Sequence, residues 1–244
     1  MSITNNVARA KTDYDEVYAA GKKAQYDEFW DNFQDYGNRT AYEYGFRGIG
    51  WNDISFYPKY DIIAVGLSQA IFYASTITDF VAVFEKTRTV LDVSNATNIS
   101  ELFCTSSTTR IPTISTVGAD NFVKVFYDCH NLVTIEKKIF RSDNSQTYNS
   151  VFTRCYALEN LIVEGTISQG TINLSWSKKL SKTSITSVIN ALSTTTSALS
   201  VTLSKTAVNN AFETSAGAAD GSTSAEWNAL IATRSNWTIN LLDS

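Results

Sequence analysis

The sequence predicts an α+β fold: a solenoid of short strand-and-turn units, entered through one long helix and closed by an α/β cap. Three observations carry this. Phenylalanine, a small residue and two aliphatic residues, spaced about three apart, recur through the middle of the chain. Residues 6–36 contain no proline and a single glycine. The last quarter alternates helical and strand-like periodicity.

The opening segment, 1–37, reads as an oligomerisation helix. Asn5 or Asn6 supplies an N-cap, and Gly37 stands where a helix C-terminus is often closed. Val7, Ala10, Tyr14, Val17, Gly21 and Ala24 follow a heptad seam, the pattern that pairs helices in a coiled coil. The seam then gives way to Phe29, Trp30, Phe33 and Tyr36, a wider aromatic face suited to docking on a globular body. Asp27, Asp31 and Asp35 share one face of this helix. Like charges at that spacing belong more often to a solvated face than to a cation site.

Residues 38–62 form a Gly- and aromatic-rich connector, expected to cap one end of the stack, as terminal units of repeat arrays must be covered. Its "GFRGIG" has the glycines of a phosphate loop. The strand before and the helix after that such a loop needs are missing from the pattern.

The repeats occupy 63–180. "IFYASTITDF", "LFCTSSTTRI", "VFYDCHNLVTI" and "VFTRCYALENL" align on Phe72, Phe103, Phe126 and Phe152. The small residue is Ser75, Ser106, Cys129 or Cys155. Next come Ile77, Thr108, Leu132 and Leu158, then Phe80, Ile111, Ile135 and Leu161. Steps of 31, 23 and 26 residues between the phenylalanines lie in or close to the range of leucine-rich solenoids. In such a unit Phe fills the space between turns and the small residue permits a tight turn. The aliphatic residues then line a short strand. Second apolar segments such as "TVLDVSN" and "TINLSW" predict another strand in each turn. Asn95, Asn98, Asn131 and Asn160 are placed to bond turn backbones.

In 181–244, "LSKTSITSVINAL" predicts a Ser-capped helix with Ile185, Val188, Ile189 and Leu192 inward. "ALSVTL" alternates as a strand, and "LSKTAVNNAF" repeats the capped start of the first helix. "AEWNALIATR" follows Ser224 as a third helix, and "NWTINLL" ends the chain as a strand.

Composition excludes several classes of function. The net charge of −4, with both signs interspersed, argues against nucleic acid, which a basic stripe would serve. No apolar run is long enough to cross a membrane as a helix, so no membrane insertion is expected, and the N-terminal stretch lacks the hydrophobic centre of a secretory signal. Cys104, Cys129 and Cys155 with the single His130 do not make a zinc set. They read as small buried residues. No cofactor and no catalytic activity are expected. Asp79 with Glu85, and Asp120 with Asp128, are scattered carboxylates, and Cys129–His130 are neighbours whose side chains diverge.

The Phe-x-x-Cys-x-x-Leu-x-x-Ile/Leu repeat resembles the BspA-like class of bacterial leucine-rich repeats. The order of parts is similar to something narrower. "VYAAGKKAQYDEFWDNFQDYGNRT", "GFRGIGWNDISFYPKYDI", the repeats, "LSKTSITSVINALSTTTSALSVTLSKTAVNNAF" and "SNWTINLL" resemble proteins encoded among the structural genes of phages and prophages of gut Firmicutes. The resemblance spans nearly the whole chain. It implies a virion protein on a tail or fibre, with copies joined by the N-terminal helix (a trimer by analogy with tail proteins), which also meets other virion proteins. It further implies contact with a bacterial surface glycan or protein. A non-binding capsid or tail decoration, and a depolymerase acting on that surface, are the alternative readings. Trp51, Tyr57, Tyr60, Tyr156 and Trp176 are the aromatic residues placed to stack on sugar rings, each with burial in the core or cap as the competing role.

Overall fold

A computed structural model of the chain describes residues 98–111, 122–135, 150–168, 170–195, 199–212 and 224–244, with short pieces at 62–63, 79, 81–82, 85 and 91–92. The heptad positions Val7 to Ala24, the aromatics Trp51, Tyr57 and Tyr60, and Phe72 lie outside the described residues.

The described elements are mixed α/β, with small parallel sheets. Strand β1 (Ile62–Ile63) pairs with β2 (Leu91–Asp92), and β3 (Thr134–Ile135) with β4 (Asn160–Leu161). Arg110 extends the second pair by a parallel bridge to Thr134. A three-stranded sheet runs β5 (Ile172–Leu174), β6 (Leu199–Leu203), β7 (Trp237–Leu241), all parallel. Helix α1 (Lys182–Ala191) joins β5 to β6, while α2 (Lys205–Ala211) and α3 (Ala225–Ala232) join β6 to β7. Parallel neighbours need such crossovers.

Three copies of the phenylalanine motif lie one above another. The Phe103 and Phe126 rings stack at 5.8 Å and 14°, and Phe126 and Phe152 at 5.8 Å and 19°. Each ring is essentially excluded from solvent. Backbone hydrogen bonds explain why the copies stack. In the first copy, the amides of Leu102, Cys104 and Ser106 close turns onto the carbonyls three residues back. The intervening amides of Glu101, Phe103 and Thr105 donate instead to Val123, Val125 and Tyr127 of the next copy, at 2.9, 3.0 and 2.8 Å. Phe126 and Asp128 repeat this onto Val151 and Thr153. Every amide from Glu101 to Ser106 is thus used, half within the copy and half onto the next.

This alternation needs left-handed backbone. The residues two before and two after each Phe have positive φ: Glu101, Lys124 and Ser150 at 56°, then Thr105 at 56° and Asp128 and Arg154 at 61°. None is glycine. Left-handed geometry costs an L-residue roughly 1–2 kcal/mol, so the inter-copy bonds hold each segment against its local preference. Four of these positions also face one another as ion pairs, Glu101 with Lys124 at 3.8 Å and Asp128 with Arg154 at 3.6 Å. Pairs this exposed contribute under about 1 kcal/mol each.

The small residue has a further duty. Cys129 Sγ donates to the Phe103 carbonyl at 3.0 Å, and Cys155 Sγ to the Phe126 carbonyl at 3.1 Å. The thiol of one copy thus anchors on the phenylalanine of the copy before. Thr108, at a position aliphatic in the next two copies, is fully buried. Its hydroxyl donates to the Arg110 carbonyl at 2.5 Å and its amide to Ser106 Oγ. Asn98 accepts from the Ser100 amide as a turn asparagine does. Asn160 differs from expectation, because its amide reaches across the strand pair to Thr134 Oγ1.

Among the described residues no third strand pairs with β4. Helix α1 takes that place, and its serines satisfy the strand's open edge. Ser184 Oγ accepts from the Leu161 amide and donates to the Glu159 carbonyl, both at 2.9 Å. Ser187 Oγ bonds both the amide and the carbonyl of Val163. A helix therefore ends a sheet without leaving its backbone orphaned.

The three helices start where Ser181, Ser204 and Ser224 accept from the amide three residues on. Ile185, Val188 and Ile189 of α1 are buried. Apolar side chains from Ile99 to Trp237 form one continuous core through the repeats and the C-terminal elements. Phe212 and Trp227 pack at 5.2 Å, and Trp237 Nε1 donates to the Ser193 carbonyl at 2.9 Å. The last residues are tied back: Asp243 accepts from the Ser204 and Thr206 hydroxyls and the Thr206 amide, and the Ser244 and Ser175 hydroxyls bond at 2.7 Å.

Candidate functional site

The anchored thiols determine what stands beside them. Because Cys129 and Cys155 are drawn inward, the next residues, His130 and Tyr156, are exposed. Above them, Ser177 Oγ donates to the Cys155 carbonyl at 3.1 Å and fixes the turn that carries Trp176. The three rings form a row on the surface. His130 and Tyr156 stand 5.2 Å apart at 47°, and Tyr156 and Trp176 5.6 Å apart at 76°. Tyr156 is 41% exposed and Trp176 half-buried.

Polar groups flank the row. Asp128 Oδ1 lies 2.5 Å from His130 Nε2 and accepts from it when that nitrogen carries the proton, and the same carboxylate pairs with Arg154. Lys124 and Arg154 both lie over the Tyr127 ring, at 5.6 and 6.0 Å. Asn131 and Arg154 are exposed on the His130–Tyr156 copies, and Lys178 and Lys179 follow Trp176.

Of the five aromatics singled out in the sequence, Tyr156 and Trp176 are brought together; the other three lie outside the described residues. His130 is the member that sequence reasoning missed as a binding residue. Its signal was the matching position in "DCHNL" and "RCYAL", directly after the cysteine.

The remaining chemical candidates have structural duties. Burial, reinforced by the Glu101 carboxylate, pushes the Cys104 thiol up to about 12. Burial likewise raises Cys129 and Cys155 far above the usual thiol range. Cys129 and His130 diverge, the thiol to a carbonyl and the imidazole to Asp128. Asp79 accepts from the Ala82 amide and from Arg110, tying two segments together. Asp120 lies outside the described residues. Among the described residues no group of three His, Cys, Asp or Glu stands close enough to hold a metal, and no helix is long and apolar enough to cross a membrane. A depression of about 410 Å³ between α3 and β7 includes Ile231, Arg234, Trp237 and Ile239. Its guanidinium donates to the Thr233 and Asn190 carbonyls.

No protein family, curated protein or solved structure matches this chain.

Proposed function

We propose that this chain is a phage virion protein of the tail or a fibre, whose leucine-rich-repeat body of the BspA-like type binds a bacterial surface glycan or protein. The observation that carries the binding role is the row His130–Tyr156–Trp176, in which His130 and Tyr156 are exposed and Trp176 is half-buried. The stacked phenylalanines and the parallel β3–β4 pair support the repeat body. The virion assignment rests on the order of segments in the sequence. In this reading the N-terminal helix joins copies of the chain, with a trimer as the starting expectation, and meets other virion proteins.

The binding role is tested by incubating the purified chain with cells and wall fractions from a panel of gut Firmicutes. Retention of the wild type, and its loss in Tyr156→Ala with Trp176→Ala, is the expected result. A folded protein that binds no fraction sinks the receptor role. For the helix, Val7→Asp with Val17→Asp is expected to lower the mass seen by light scattering; an unchanged mass rejects the seam.

A further inference from the structure

We propose that the row takes a linear polysaccharide lying across the stacked copies, one sugar ring against each of His130, Tyr156 and Trp176, with His130 as the third subsite. This deepens the receptor reading above and rests on it.

The row stands alone among the described residues. Among the described residues the exposed large hydrophobics are Tyr156 and Leu242 alone. A protein partner binds through a desolvated apolar core several side chains across, ringed by neutral contacts. Here a single file of rings is bordered by Asp128, Asn131 and Arg154. A sugar ring matches that pattern: its C–H face lies on an aromatic ring while its hydroxyls, as donors and acceptors, reach charged and amide groups alongside. Single-stranded nucleic acid also stacks on aromatic files, but through a positive groove, and this chain carries a net charge of −4.

The row also has a direction and a length. The three rings sit on successive segments, so the file runs along the stack and not along any one strand. In the Phe103 copy the place of His130 and Tyr156 is taken by Ser107, which among the described residues ends the file on that side. Beyond Trp176 stand Lys178 and Lys179. Among the described residues a ligand therefore meets three aromatic platforms, and their mutual tilts of 47° and 76° select a chain that twists between consecutive rings.

The probe is peptide-free wall polysaccharide, partly hydrolysed and graded by length, bound to the full chain beside intact wall fractions treated with periodate or with protease. Periodate is expected to abolish retention and protease to spare it. Affinity is expected to rise with each added sugar up to three rings and then level off. His130→Ala should lower affinity for fragments of three or more rings on the order of tenfold, a factor equivalent to 1.4 kcal/mol, and leave two-ring fragments unchanged. Tyr156→Ala should weaken every length, and Tyr156→Phe should keep most of the binding, because the ring is retained. Retention abolished by protease alone overturns the polysaccharide and leaves the receptor role standing. Length dependence without a plateau at three rings, or His130→Ala without effect, overturns the third subsite. No retention by any wall fraction removes both.

Discussion

Replacing Ser184 by alanine should destabilise the protein by about 2 kcal/mol, although a serine inside a helix ordinarily gains from that change. Its hydroxyl makes three hydrogen bonds: it accepts from the Leu161 amide and bonds Ser181 Oγ and the Glu159 carbonyl. Both Ser184 and Leu161 are fully buried. Without the hydroxyl the Leu161 amide is orphaned away from water, at roughly 1–3 kcal/mol. The Glu159 carbonyl keeps the Ser181 amide at 2.9 Å, so its loss is partial, about 0.5–1 kcal/mol. Alanine returns about 0.5 kcal/mol through helix propensity. Urea denaturation measures the net effect as a lower midpoint at unchanged slope, by about 1 M for a slope near 2 kcal/mol per M. Amide exchange at Leu161 should quicken in the same variant. A loss below about 0.5 kcal/mol, with Leu161 still protected, would refute the idea that a helix serine closes the strand edge.

Thr105 is β-branched at φ 56°, so Thr105→Gly should raise the urea midpoint by the equivalent of about 1 kcal/mol, and a lowered midpoint would count against strain there. The three buried thiols should be inert to an aromatic disulfide reagent in the native protein and fully reactive in denaturant; fast native reaction of any one contradicts its burial. Their raised values also set an alkaline limit. The folded thiols stay protonated while the unfolded ones ionise near 9.0, so the stability they contribute is whole below that pH and falls as pH rises toward the folded values. Substituting Cys104, Cys129 and Cys155 together by alanine should flatten that alkaline slope in urea titrations, and an unchanged slope would reject the assignment. At Asp243, burial pushes the carboxyl up, but the Ser204 and Thr206 hydrogen bonds, with Lys178 nearby, outweigh it and hold it below the usual 3.8. Its contribution is present above that value and lost as pH falls through the lowered one. Asp243→Asn should remove this part of the acid limb, and an identical acid profile would show that the clasp adds nothing.

The sequence by itself determined what depends on near neighbours. Serine before each of three apolar-periodic runs marked the helix starts at Ser181, Ser204 and Ser224, since a cap bonds an amide only three residues away. The recurrence of Phe103, Phe126 and Phe152 marked equivalent positions, because copies that share a pattern fill space in the same way. Tyr156 and Trp176 were legible as candidates, but not as a pair.

Tertiary structure decided everything that rests on which distant atoms meet. His130 becomes a neighbour of Tyr156 only because two cysteines anchor on carbonyls one copy back, turning the following residues outward in register. Ser184 becomes a strand partner only because α1 settles against β4. Left-handed backbone at Glu101, Thr105, Lys124, Asp128, Ser150 and Arg154 follows no local preference. It exists because hydrogen bonds between copies outweigh the torsional cost, and those bonds form only once the copies are stacked.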